Sequence, residues 1–230
     1  MGQEARLQER LGYTFSRPEL LARALTHRSF SSTNNERLEF LGDAILNFVI
    51  AGELFERFDS AHEGQLSRLR ARLVRRQTLA IIARDLDLGD CLHMGTGELK
   101  TGGFERDSIL SDAMEAVIGA VYLDGGLEPA RDLLRTLYGE QFETLTLERA
   151  QKDPKTRLQE YLQARQANLP EYVVVNVSGA SHEQHFVVEC HADLLAGPVS
   201  GEGGSRRMAE QDAAGKALSE LGVDHDPRQV

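Results

Sequence analysis

The sequence predicts two domains of different class: an all-α domain over residues 1–147 and a small α+β domain, ordered α-β-β-β-α, over residues 153–224, with a linker at 148–152. Three observations carry this reading. Apolar residues in the first part recur at helical spacing, and no segment there alternates like a strand over a useful length. The texture then changes at the polar stretch Thr146–Lys152. Beyond it, three strand-like runs lie between two helical ones.

Ser16 and Glu19 have the spacing of a capping box, and Pro18 stands early in that helix, where its missing N–H costs nothing. Helix continues through Leu20, Leu21, Ala24 and Leu25. Ser31–Asn35 is a polar loop, with Asn35 a suitable N-cap for the next helix. Further helices are expected at Glu36–Glu56, Gly64–Leu86, Ser108–Leu123 and Glu128–Leu145, with a loop at Gly95–Gly103, which holds four glycines. In the second domain Asp153-Pro154 reads as an N-cap and first-turn proline, opening a helix to Gln166. Strands are expected at Tyr172–Val177, His185–Ala192 and Ala196–Gly201. Pro198 makes the third an edge strand, because proline cannot donate to a ladder. A helix over Arg206–Leu221 closes the domain.

The 230 residues are 41% apolar and 27% charged, enough to bury a core, so disorder is excluded by composition. No run of 18 apolar residues suggests a membrane span. The charged N-terminus argues against a signal peptide, and Cys91 and Cys190 stand far apart in sequence. A reducing cytoplasm is therefore the expected compartment. With 26 Lys+Arg against 36 Asp+Glu, the chain cannot bind nucleic acid by bulk charge, which leaves local basic patches.

The informative segment is Asn35–Leu46, NERLEFLGDAIL. On a helix Leu38, Leu41, Ile45, Phe48 and Val49 fall on one side, and Glu36, Glu39, Asp43 and Asn47 on the other. Like charges at this spacing repel unless a cation lies between them. Such a stripe alone reads as a solvated face. A second pair, Asp112 and Glu115, sits three residues apart on a helix that is apolar nearly all round, where carboxylates are costly unless paired or bound to metal. Arg37, Arg68, Arg70 and Arg72 are available as ion-pair partners. The repeated spacing of hard oxygen donors favours Mg²⁺. Glu63 offers a further carboxylate.

NERLEFLGDAIL resembles the signature NERLEFLGDSIL of the bacterial ribonuclease III family, with Ala44 where serine is more usual. Glu63–Ser67, Gly97–Phe104 and Ser108–Ala120 also resemble segments of that family. The resemblance implies that Glu39, Asp43, Asp112 and Glu115 are the metal-binding acids, with Asp43 and Glu115 catalytic, and that Glu36 and Glu63 belong to the same acidic valley. It implies Mg²⁺ as cofactor, with Mn²⁺ as a substitute, and hydrolysis leaving 5′-phosphate and 3′-hydroxyl ends. It also implies a homodimer, since one site cuts one strand and a dyad supplies two. Phe40 is a candidate interface residue or an ordinary core residue. Ribosomal RNA precursors and some messages are the implied substrates.

The second domain resembles a double-stranded-RNA-binding domain, through Asp153–Gln163 and Gly201–Glu210. Duplex RNA offers 2′-hydroxyls in its minor groove and phosphates beside a narrow major groove. Gln159, Glu160, Gln163 and His182 suit the first, and Ser205, Arg206 and Arg207 the second. From Asp153 onward there are 7 Lys+Arg against 12 Asp+Glu, so the clamp is thin. A zinc site among His182, His185, Cys190 and His191 is disfavoured, because His185 and Cys190 point to opposite faces of a strand. The rival to an endoribonuclease is a non-catalytic double-stranded-RNA-binding protein whose acids form structural salt bridges.

Overall fold

The computed structural model describes residues 2–147, 153–179 and 184–223. The chain forms two compact units, divided at Gln151/Lys152. The expected linker, 148–152, lies outside the described residues, as does His182.

The first unit contains helices α1 (Gln3–Leu11), α2 (Pro18–Ala24), α3 (Glu36–Arg57), α4 (Glu63–Leu73), α5 (Arg76–Asp85), α6 (Thr96–Lys100), α7 (Asp107–Gly125), α8 (Leu127–Leu137) and α9 (Gly139–Glu143). The central element is α7. Ile109, Leu110, Ala113, Met114, Ala116, Val117, Ile118, Ala120 and Val121 are all buried, so this helix is apolar on nearly every side, as a helix enclosed by others must be. It packs against α2, α3, α5 and α8.

Its closest neighbour is α3. A Cβ built on Gly42 would lie 1.7 Å from the Glu115 carbonyl oxygen, and one on Gly119 would lie 2.4 Å from that of Leu38. Only residues without a side chain permit the two backbones to cross this closely.

Several local expectations need correction. The Ser16/Glu19 capping box does not form. Arg17 is the N-cap of α2, and the backbone N–H groups of Ser16 and Arg17 donate instead to the Asp124 carboxylate at 2.9 and 3.0 Å. Asn35 occupies the N-cap position of α3 without a side-chain cap, while Asn34 Oδ1 accepts from Glu36 N–H at 3.1 Å. The single helix expected over Gly64–Leu86 is broken at Val74-Arg75. There Tyr138 Oη donates to the Leu73 carbonyl (3.2 Å) and Thr78 Oγ1 to the Arg72 carbonyl (3.0 Å), satisfying acceptors that the end of α4 leaves open. The helix expected over Glu128–Leu145 is likewise divided at the buried Tyr138. The Gly95–Gly103 loop contains the one-turn helix α6. Phe48, expected on the buried side of its helix, is 60% exposed. The core-facing stripe of α3 runs instead through Leu38, Ile45, Leu46, Val49 and Ile50.

The second unit comprises α10 (Pro154–Gln163), β1 (Glu171–Ser178), β2 (His185–His191), β3 (Val199–Gly203) and α11 (Arg206–Glu220). The antiparallel sheet has the order β1-β2-β3, with an irregularity in β1 between Val174 and Asn176. β3 is an edge strand that begins just after Pro198. The helix opening this unit ends at Gln163 rather than Gln166, whose φ of 60° is left-handed. Leu158 and Leu162 of α10 meet Ala213, Ala214, Ala217 and Leu218 of α11 and Cys190 of the sheet in one core. Both helices are capped by side chains: Asp153 accepts from Thr156 N–H, and Ser205 from Met208 N–H.

Candidate functional site

The α3–α7 crossing sets the geometry of the acids. Glu39 and Asp43 flank Gly42 on α3, and Glu115 is one turn before Gly119 on α7. Glu39, Asp112 and Glu115 each present a carboxylate oxygen within 4.8 Å of the others. All three are half-buried. Among the described residues none of them is in an ion pair with arginine or lysine, so the salt-bridge alternative finds no support.

The electrostatics reflect this crowding. Burial, followed by the charges of Asp43, Asp112 and Glu39, pushes the Glu115 carboxyl up to about 8, with Arg76 opposing. Glu39 is raised by burial, then by Asp112 and Glu36, with Arg28 opposing. Carboxyl groups this close that lack cationic partners fit a divalent cation, whose hard charge prefers such oxygens.

The other candidate acids lie around this group. Asp43 is exposed and stands outside the trio, its Oδ1 accepting from Asn47 Nδ2 at 2.9 Å, yet it is the charge with the largest effect on Glu115. Glu36 is 3.6 Å from Arg28 and lines, with Glu39 and Asp112, a cleft of about 560 Å³. His27, Ser29, Glu98, Arg106 and Ser108 also line that cleft. Glu63 sits at the start of α4, accepting from Ser67 Oγ at 2.7 Å, apart from the trio. Sequence reasoning missed Arg28, Arg76 and the paired glycines. A glycine seven residues from Asp112, on a helix that is apolar on nearly every side, was the available signal for the crossing. Phe40 is 81% exposed, so it is not a core residue of one chain.

In the second unit Gln159 and Gln163 are exposed on α10, one turn apart, and Glu160 is exposed beside them. Arg206 is committed to Glu210 (2.8 Å), which also holds Lys155 (2.6 Å). Arg207 is exposed beside Lys155 and Gln159 around one shallow pocket. The zinc reading gains nothing: His185 pairs with Glu202 and His191 with Glu189, and Cys190 is buried.

A helical unit with an acidic centre shared by two crossing helices, followed by an α-β-β-β-α unit, defines a two-domain protein whose helical part carries a cluster of carboxylates. Residues 17–141 match the family described as Ribonuclease-III-like, and residues 154–221 match the Double-stranded RNA binding motif. The chain is 59% identical over 219 residues to Ribonuclease 3 of Hahella chejuensis, covering 95% of this chain and 97% of that one. It is also 59% identical over 221 residues to Ribonuclease 3 of Pseudomonas fluorescens, covering 96% of each. Among solved structures, the nuclease domain of ribonuclease III from Campylobacter jejuni matches with a TM-score of 0.61 at 46% identity, covering 64% of this chain and 100% of that one. A second structure of that domain, described for flexibility in a region involved in dimer formation, matches with a TM-score of 0.59 at 48% identity, covering 60% and 97%. The chain belongs to the ribonuclease III family.

Proposed function

We propose that this chain is a double-strand-specific endoribonuclease that depends on a divalent metal and acts as a homodimer. Mg²⁺ is the working ion and Mn²⁺ its substitute. The observation that carries the reading is the meeting of Glu39, Asp112 and Glu115 without a cationic partner. The non-catalytic alternative needs those acids locked in salt bridges, and among the described residues they are not.

Glu39, Asp112 and Glu115 would hold the ion, with Asp43 adding negative charge beside Glu115. When bound, a divalent ion lowers the pKa of its water and stabilises charge on the phosphoryl and leaving oxygens. The raised proton affinity of Glu115 makes occupation depend on pH, because the ion competes with a proton for the same carboxyl. Arg28 and Arg106 line the adjoining cleft, paired with Glu36 (3.6 Å) and Glu98 (2.6 Å), so a phosphate that flanks the cut would engage them by displacing those carboxylates. The products carry 5′-phosphate and 3′-hydroxyl ends.

The exposed Phe40, Phe48 and Phe55 of α3 support dimerisation, since an apolar stripe of this size on a single helix is costly in water. A dyad through that face supplies the second site that a duplex cut requires. The domains are assigned as 1–147 and 153–224. Gln159, Glu160, Gln163 and His182 read the minor groove, and Ser205 and Arg207 the phosphates, with Arg206 joining them only by giving up its pair with Glu210. Structured precursors such as ribosomal RNA and some messages are the substrates, in the cytoplasm. Among the described residues no helix is long and apolar enough to cross a membrane.

Cleavage of a perfectly paired RNA duplex under titrated Mg²⁺, with the product ends identified, tests the proposal. Chelator should stop cutting, and Glu115→Gln should abolish it while leaving binding intact. Normal cleavage by that variant would refute the assignment.

A further inference from the structure

One strongly charged feature has no part in the proposed chemistry. From Gly64 to Arg84 the chain carries six arginines and no acid, although its net charge is −10. Five of them fall within nine residues, Arg68 to Arg76, at the end of α4 and the start of α5. Arg72, Arg75 and Arg76 are exposed. Among the described residues these three make no ion pair, whereas Arg84 is spent on Asp107. Uncompensated arginines in an acidic protein repel one another, and an anionic ligand removes that cost.

The patch borders the catalytic centre. α5 packs along α7, the helix that carries Asp112 and Glu115. Arg76 is also near enough to counter the charge around Glu115. The RNA-binding unit, in contrast, is short of free cations. It carries 7 Lys+Arg against 12 Asp+Glu, and Lys155 and Arg206 are both held by Glu210.

We propose that Arg72, Arg75 and Arg76 form a phosphate-binding surface of the nuclease unit, engaging the backbone of the duplex beside the cut and supplying charge that the RNA-binding unit lacks. This rests on the endoribonuclease reading for its ligand. Such contacts position the duplex without reading its sequence.

The test is the salt dependence of duplex binding by the full chain, measured by fluorescence anisotropy with a perfectly paired RNA and chelator present. Each phosphate contact contributes about 0.9 to the slope of log K against log salt on a duplex. Replacing Arg72, Arg75 and Arg76 together by alanine should therefore flatten the slope by about 2–3. Replacing all three by lysine, which keeps point charge, should retain most of it. A circular-dichroism melt of each variant reports whether it is folded. An unchanged slope in a folded alanine variant overturns the proposal and leaves the arginines to an acidic protein partner. Equal losses in the lysine and alanine variants also overturn it, because charge is then not what the residues supply. Failure of the endoribonuclease reading would look different: the unsubstituted chain would bind duplex with its full slope and cut nothing with any divalent ion.

Discussion

Gly42 and Glu115 meet backbone to backbone, so closely that a Cβ on Gly42 would lie 1.7 Å from the Glu115 carbonyl oxygen. The contact sets how near the acids of α3 come to those of α7. Gly42→Ala must push the helices apart, and overpacking of this kind costs about 1–3 kcal/mol or more. The variant should show a lower denaturation midpoint and strongly reduced cleavage. Wild-type values of both would show that the crossing does not control the site.

Glu115 makes stability depend on pH. Its carboxyl is pushed up to about 8 by burial first and then by Asp43, Asp112 and Glu39, from an ordinary value of 4.5. Without a divalent ion the folded chain therefore holds a proton that the unfolded chain releases. The associated stability is fully present below about 4.5 and is lost as pH rises through about 8. Urea unfolding in chelator across that range should show the decline, and Glu115→Gln should flatten it. Added Mg²⁺ should oppose the decline by favouring the ionised carboxyl, with a proton released on binding. A wild-type profile that rises across the same range would contradict the raised proton affinity.

Phe40 and Phe48 lie two turns apart on α3, 81% and 60% exposed. Replacing both by serine should yield monomers by light scattering. The stability of the single chain should change little, since neither side chain is in its core. Dimers that persist at low concentration would place the interface elsewhere.

Glu63 bonds to Ser67 and is not among the leading charges that shift Glu115 or Glu39. Glu63→Gln should cost no more than the roughly 10- to 100-fold typical of an outer partner of a metal ligand. Glu39→Gln and Asp112→Asn should abolish cleavage. Single-turnover rates at saturating Mg²⁺ distinguish the two classes, and equal losses would bring Glu63 into the ligand set.

The sequence by itself determined the fold class and the acidic stripes. Helical periodicity places Glu36, Glu39 and Asp43 together on one helix, and Asp112 and Glu115 on another, because neighbours on one helix are fixed by the 3.6-residue turn alone. Asp153 could be read as a cap for the same local reason. The tertiary structure decided what crosses between elements. It brought Glu39 to Asp112 and Glu115 while leaving Asp43 just outside, turned Phe48 to solvent, gave Lys155 to Glu210 and broke the helices at Val74 and Tyr138. Each of these depends on the distance and angle between helices, which at the acidic centre are set by two glycine backbones in contact, and no periodicity along one chain segment encodes that.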